Sequence, residues 1–263
     1  MRVALCQIPV GDDPKENLGQ IRAALERAAG ADLAVFPEAV QVRFGNALAE
    51  VAEPLDGPFV GELREAAREH GIALIAGVFE PAGDDRVYNT AVAIDGTGEL
   101  VGTYRKIHLF DAFGDRESER VAPGDAPAVV ELAGLRIGLI TCYDVRFPEL
   151  ARALVDRGAE VLVIIAAWAQ GVFKEEHWTT LVRARAIENT AWVVAVDKAP
   201  DRTPPPKGAP GGVGRSMLVD PMGTVLADLG PFATVMTGEI DTAVTERVRR
   251  MLPSLAHRRR DVF

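Results

Sequence analysis

The sequence predicts a mixed α/β architecture, and three observations carry that reading. Short apolar runs alternate with amphipathic stretches at helical spacing along nearly the whole chain. Two turn segments, Asp95-Gly96-Thr97-Gly98 and Asp220-Pro221-Met222-Gly223, each separate a pair of strand-like runs, as hairpins require. Cys142 stands between an apolar run, 135–141, and a stretch in which Leu150, Leu154 and Val155 recur at helical spacing. The 263 residues are 48% apolar and 25% charged, enough for a large core. No compositional break or Ser/Gly linker divides them, so one domain over 1–263 is expected.

Taken in order, strands over 3–9 and 33–36 flank a helix over 14–29, where Pro14 suits a helix start, and together they open the chain as a βαβ unit. A helix over 57–70 ends at Gly71, a residue type favoured just past helix C-termini, and a strand over 72–79 follows. Strands over 87–94 and 99–104 form the first hairpin, and 128–132 and 135–141 flank Ala133-Gly134 in the same manner. A helix then follows Cys142, with a strand over 161–166, a long helix near 174–189 and a strand over 192–196. The segment 199–214 holds five prolines and four glycines, which makes it a loop, either a lid or a connector. Strands over 215–219, 224–229 and 235–240 and a last helix over 241–251 complete the chain.

Composition narrows the function. A net charge of −9 disfavours a nucleic-acid binder, and the arginines gathered between 247 and 260 read as a solvated or subunit-contacting tail. His70, His108, His177 and His257 lack metal-site spacing relative to one another or to the cysteines, so no metal and no cofactor is expected. The longest apolar run, 161–167, is too short for a membrane span, and Met1-Arg2-Val3-Ala4 opens without a long apolar segment. Two cysteines are too few for a disulfide framework, so a cytoplasmic protein is expected.

A free cysteine most often serves as a small buried hydrophobe, and Cys6, in Val3-Ala4-Leu5-Cys6-Gln7-Ile8, is read so. Cys142 differs, because a thiol at a strand-to-helix junction meets backbone N–H groups and a positive helix end that favour the thiolate. Glu38 follows the strand Ala34-Val35-Phe36, and Lys106 follows Val101-Gly102-Thr103-Tyr104. Singly, each is as well explained as a helix-start acid or an exposed charge. Together, three polar groups directly after three apolar strands form a candidate nucleophile, base and electrostatic stabiliser.

At these residues the chain resembles the nitrilase superfamily of carbon–nitrogen hydrolases. Phe36-Pro37-Glu38 is similar to that family's glutamate motif, Tyr104-Arg105-Lys106-Ile107-His108-Leu109 to its lysine motif, and Cys142-Tyr143-Asp144-Val145-Arg146-Phe147-Pro148-Glu149 to its cysteine motif. His177-Trp178, 183–189, Gly214-Arg215-Ser216, Asp220-Pro221-Met222-Gly223 and the tail also resemble it. The resemblance implies a four-layer αββα sandwich and a Glu-Lys-Cys triad on Glu38, Lys106 and Cys142. It places an auxiliary glutamate on Glu117, whose other reading is an exposed acid in the charged run 115–120.

The resemblance points further to the ω-amidase and deaminated glutathione amidase branch, and so to hydrolysis of a small linear amide through a Cys thioester. Tyr143, Arg146, Trp168 and Phe173 are the expected substrate-binding residues. Arg146 would either grip a substrate carboxylate or pair with an acid such as Glu149. Hydrolysis of N-carbamoyl amines, nitrile hydrolysis, acyl transfer, a papain-like protease with a histidine base and a silent scaffold are the competing readings. Relatives of this kind commonly dimerise, and a homodimer or higher homo-oligomer with the tail 252–263 at a subunit interface is expected, with a small-molecule amide as substrate.

Overall fold

The structure is a computed structural model that describes residues 1–45, 48–200 and 209–262. It is a four-layer αββα sandwich, two mixed sheets packed face to face with helices outside. The first βαβ unit is β1 (Arg2–Gln7), α1 (Pro14–Arg27) and β2 (Leu33–Val35). After the short α2 (Leu48–Val51) come α3 (Pro58–His70), β3 (Ala73–Pro81), β4 (Val87–Ile94), β5 (Leu100–Arg105) and β6 (Val121–Ala122). The second half runs through β7 (Val129–Leu132), β8 (Leu135–Thr141), α4 (Pro148–Asp156), β9 (Val161–Ala166), α5 (Lys174–Asn189) and β10 (Trp192–Asp197). Strands β11 (Met217–Val219), β12 (Val225–Asp228) and β13 (Thr234–Glu239) and helix α6 (Thr242–Met251) follow.

The first sheet has the order β13-β1-β2-β3-β4-β5, with β6 added alongside β4, and the second has the order β12-β11-β10-β9-β8-β7. Each contains a parallel core, β1-β2-β3 in one and β8-β9-β10 in the other. Strand periodicity divides the residues between layers. In β1, Val3 and Leu5 join the core between the sheets, while Ala4 and Cys6 face the cluster containing Ile21 and Leu25 of α1 and Leu63 of α3. Burial on both faces explains why these strands read as unbroken apolar runs. Cys6 is core, and burial holds its thiol above the ordinary range.

One expectation needs correction. No helix begins at Cys142: residues Cys142–Arg146 form a 3-10 turn, Phe147 is extended, and α4 starts only at Pro148. The proline disfavours helical backbone at Phe147 and suits the first helical position, which moves the helix start downstream. The pairing of β6 with β4 and the helix α2 are additions, each too short for a periodic signature. Residues 201–208 of the proline-rich loop, and with them its reading as a lid, lie outside the described residues.

Glycine 77 in β3 is what lets the Glu38 turn lie against the sheet. A Cβ there would come within 2.5 Å of the Ala39 nitrogen and 2.7 Å of the Glu38 Cα, both rigid backbone. Gly77→Ala should therefore lower the unfolding free energy by about 1–3 kcal/mol in urea titration. Gly61→Ala in α3, where the added carbon meets nothing within 4 Å, should be neutral or stabilising. Equal tolerance of both would contradict the close approach.

Candidate active site

The chain leaves the parallel strands at one end of the sandwich, where open α/β sheets build their sites. Glu38 lies three residues beyond β2, Lys106 directly follows β5 and Cys142 directly follows β8. Glu117 enters on a 3-10 turn, Glu117–Glu119, between β5 and β6. All four are buried, with exposures of 1% for Glu38, 2% for Lys106, 3% for Glu117 and 9% for Cys142. They line one cavity.

The Lys106 ammonium donates to both carboxylate oxygens of Glu117, at 2.9 Å each, and to Glu38 Oε1 at 3.2 Å. Glu38 Oε1 also accepts from Asn89 Nδ2 at 2.7 Å, and its Oε2 accepts from the Ala167 backbone N–H at 2.7 Å. Glu117 Oε2 accepts from the Phe110 N–H at 2.6 Å. Burial alone would push the lysine towards its neutral form, but Glu117 and Glu38 outweigh it and hold the ammonium pKa well above its ordinary value. Lys106 is a fixed cation. Asn89, fully buried in β4, is a member that motif reading passed over; its signal is a polar side chain inside an apolar strand.

Cys142 has φ of +50°, a sparsely populated conformation for a residue with a Cβ, and the Asp144 carboxylate braces the turn by accepting from the Thr141 N–H. Asp144, 1% exposed, accepts from the Thr141 N–H at 3.1 Å, the Tyr104 hydroxyl at 2.7 Å and the His108 N–H at 3.0 Å. His108 Nδ1 lies 2.7 Å from the same carboxylate, and its ring stacks on Phe147 at 3.7 Å between centroids. One carboxylate thus ties the cysteine turn to the lysine segment. The expected bias to thiolate is corrected here: burial first, then the Glu38 charge, push the Cys142 thiol well above its ordinary range, and Lys106 offsets them only in part. At neutral pH this is a thiol that needs a base.

The cavity has a volume of about 680 Å³, and Tyr143 and Trp168 line it. Arg146 and Phe173 do not: the Arg146 guanidinium carbon lies 4.9 Å from the Trp168 ring centroid and 5.9 Å from that of Tyr143, and Phe173 is 66% exposed. Among the described residues Arg146 forms no ion pair with Glu149 or any other acid. Lys174, next in sequence to Phe173, lines the cavity instead. The Trp168 backbone is held by buried Asp197, which accepts its N–H at 2.7 Å and those of Val213 and Gly214 at 2.7 and 2.9 Å. Among the described residues no group of three or more His, Cys, Asp or Glu side chains is placed to hold a metal.

Replacing Asp144 with Asn puts an amide N–H₂ against a site built for donors, and should cost about 1–3 kcal/mol in unfolding free energy. Alkylation of Cys142 by iodoacetamide, followed by intact mass, should slow in the same variant. Unchanged stability would contradict the role of Asp144 as the tie.

Comparison with known proteins agrees with this geometry. The carbon-nitrogen hydrolase family model matches residues 2–250. A hydrolase of Mycobacterium tuberculosis is 46% identical over 92% of this chain and 89% of its own. Deaminated glutathione amidase of Escherichia coli O157:H7 is 35% identical over 98% and 97%. The crystal structure of Saccharomyces cerevisiae Nit3, a member of branch 10 of the nitrilase superfamily, superposes with a TM-score of 0.88 at 29% identity, covering 98% of this chain and 96% of Nit3. A mutant amidase of Nesterenkonia sp. AN1, with the acetamide moiety of fluoroacetamide added covalently at its active-site cysteine, superposes at 0.83 and 29% identity over 100% and 95%. By sequence, fold and the placement of these motifs, the chain belongs to the carbon-nitrogen hydrolase family of the nitrilase superfamily.

Proposed function

We propose that this hydrolase cleaves the amide bond of a small linear amide, in the manner of an ω-amidase, through a thioester on Cys142. The observation that carries the reading is a buried thiol sharing one cavity with a carboxylate, Glu38, and a fixed cation, Lys106. The names of the relatives, an amidase and a deaminated glutathione amidase, favour an amide over a nitrile.

In this mechanism Glu38 takes the Cys142 proton as sulfur attacks the carbonyl carbon, giving a tetrahedral intermediate. The Lys106 ammonium and the Tyr143 backbone N–H, at the start of the 3-10 turn, stabilise its oxyanion. Glu38 then passes its proton to the departing ammonia or amine as the C–N bond breaks, leaving the thioester. Glu38 next removes a proton from water, the hydroxide equivalent adds to the thioester carbonyl, and collapse releases the acid and returns the proton to sulfur. Glu117 keeps Lys106 charged and aimed. Tyr143 and Trp168 shape the substrate space, and Arg146 supports them from behind the indole.

A homodimer is part of the same proposal. The exposed apolar side chains Met251, Leu252 and Val262 mark the C-terminal tail, which Arg258 and Arg260 hold against Asp156 of α4. Light scattering that shows only monomer would overturn it. Two free cysteines, one of them the proposed nucleophile, suit a reducing compartment such as the cytoplasm.

The test is ammonia release from a panel of ω-amides, carbamoyl amines and nitriles, with intact mass read in parallel. Cys142→Ala should abolish release and adduct alike. Glu38→Gln should lower kcat by at least about 100-fold, and Lys106→Met by about 100- to 1,000-fold. Release from carbamoyl amines or nitriles alone, or acyl transfer only to added amines, would replace the amidase reading. Folded protein inert to the whole panel would favour a silent scaffold, and activity lost with His108→Ala or His177→Ala but kept in Glu38→Gln would favour a histidine base.

A further inference from the structure

The cavity holds a buried cation besides Lys106 that the mechanism leaves unused. Lys174, the first residue of α5, is 5% exposed and lines the cavity wall. Phe173 before it adopts φ of +56°, which turns the chain so that the phenylalanine is exposed and the lysine faces inward. The other charged side chains on the wall are paired: Lys106 with Glu38 and Glu117, and Asp115 with Arg120 at 3.0 Å. Lys174 has no hydrogen-bond acceptor and no carboxylate partner among the described residues. Its ammonium is surrounded instead by aromatic rings, 4.2 Å from the Phe113 centroid, 4.8 Å from Phe110 and 5.5 Å from Trp168.

Aromatic faces attract an ammonium but do not replace the hydrogen bonds it gives up on leaving water. Burial, and then the neighbouring Arg146, both push the Lys174 pKa down, as expected where two cations share one indole. An anion reaching this point would satisfy the ammonium and relieve that repulsion. The cavity, at about 680 Å³, is far larger than an amide group alone requires, so an acyl chain can extend from Cys142 along the apolar wall.

We propose that Lys174 is the specificity-determining residue of the cavity, receiving a carboxylate at the end of the acyl chain remote from the scissile amide. Under the ω-amidase reading that carboxylate is the free acid of the substrate, and Lys174 is the side chain that holds it. Arg146, behind Trp168, adds to the positive field without touching the substrate. The kinetic half of the test rests on the amide-hydrolase reading; the binding half does not.

Two measurements on the full chain test it. In the first, glutarate is titrated calorimetrically into Cys142→Ala and into Cys142→Ala/Lys174→Met. Binding should weaken at least about tenfold on loss of the ammonium, a loss of about 1.4 kcal/mol, and Lys174→Arg should restore part of it. In the second, kcat/KM for glutaramate relative to neutral valeramide should fall at least about tenfold in Lys174→Met, through KM more than kcat. Glutarate that binds both proteins equally or neither, or an unchanged glutaramate preference, overturns the proposal. Lys174-dependent glutarate binding without hydrolysis of any amide leaves this inference standing and removes the amidase reading.

Discussion

Lys106 is a full positive charge with 2% of its surface exposed, and the surroundings of the site are arranged to keep it charged. An ammonium out of water is tolerated only with close counter-charges and filled hydrogen bonds, and removing one partner of such a set costs about 3–5 kcal/mol. Glu117 supplies two bonds, Glu38 a third, and the two carboxylates are anchored in turn by Asn89, the Phe110 N–H and the Ala167 N–H. These contacts join segments following β2, β5 and β9 with a side chain of β4, so both sheets must pack before the charge is satisfied. Stability and site geometry depend on the same interaction.

The electrostatics divide the work among neighbouring groups. A lysine pinned between carboxylates cannot act as a base, and a thiol raised by burial and by Glu38 cannot ionise unaided. Glu38 touches the lysine through one oxygen and a backbone N–H through the other, which fixes its orientation in the shared cavity. On the other side Asp144 fixes the strained Cys142 turn to the segment that carries Lys106. The Cys142 turn and the Lys106 ammonium are thus each held in place by the protein, and the proposed mechanism relies on that electrostatic preorganisation.

Much of this was legible in the sequence where local chemistry decides the outcome. Pro14 opens α1, Gly71 closes α3 in the left-handed conformation, and apolar runs became buried strands. Strand ends and motif resemblance point to Glu38, Lys106, Glu117 and Cys142, and these four line one cavity. What escaped depends on contacts between distant segments. Asn89 is one polar residue in an apolar strand, and its value comes only from Glu38, 51 positions away. Phe173 and Lys174 exchange roles because one residue takes a positive φ, which periodicity does not register. The bias towards thiolate that the junction pattern suggests leaves out desolvation, which raises the thiol, and Pro148 sets the helix start downstream of the cysteine.

The central claim is that Cys142 rests as a thiol and is activated only when Glu38 accepts its proton. The most direct measurement is the ultraviolet absorbance of thiolate as a function of pH, taken as the difference between the protein and its Cys142→Ala variant so that Cys6 cancels. The account requires no thiolate signal at neutral pH or through the ordinary thiol range of about 8–9. A thiolate already present at neutral pH would mean that the Lys106 charge dominates burial and Glu38, and would contradict it.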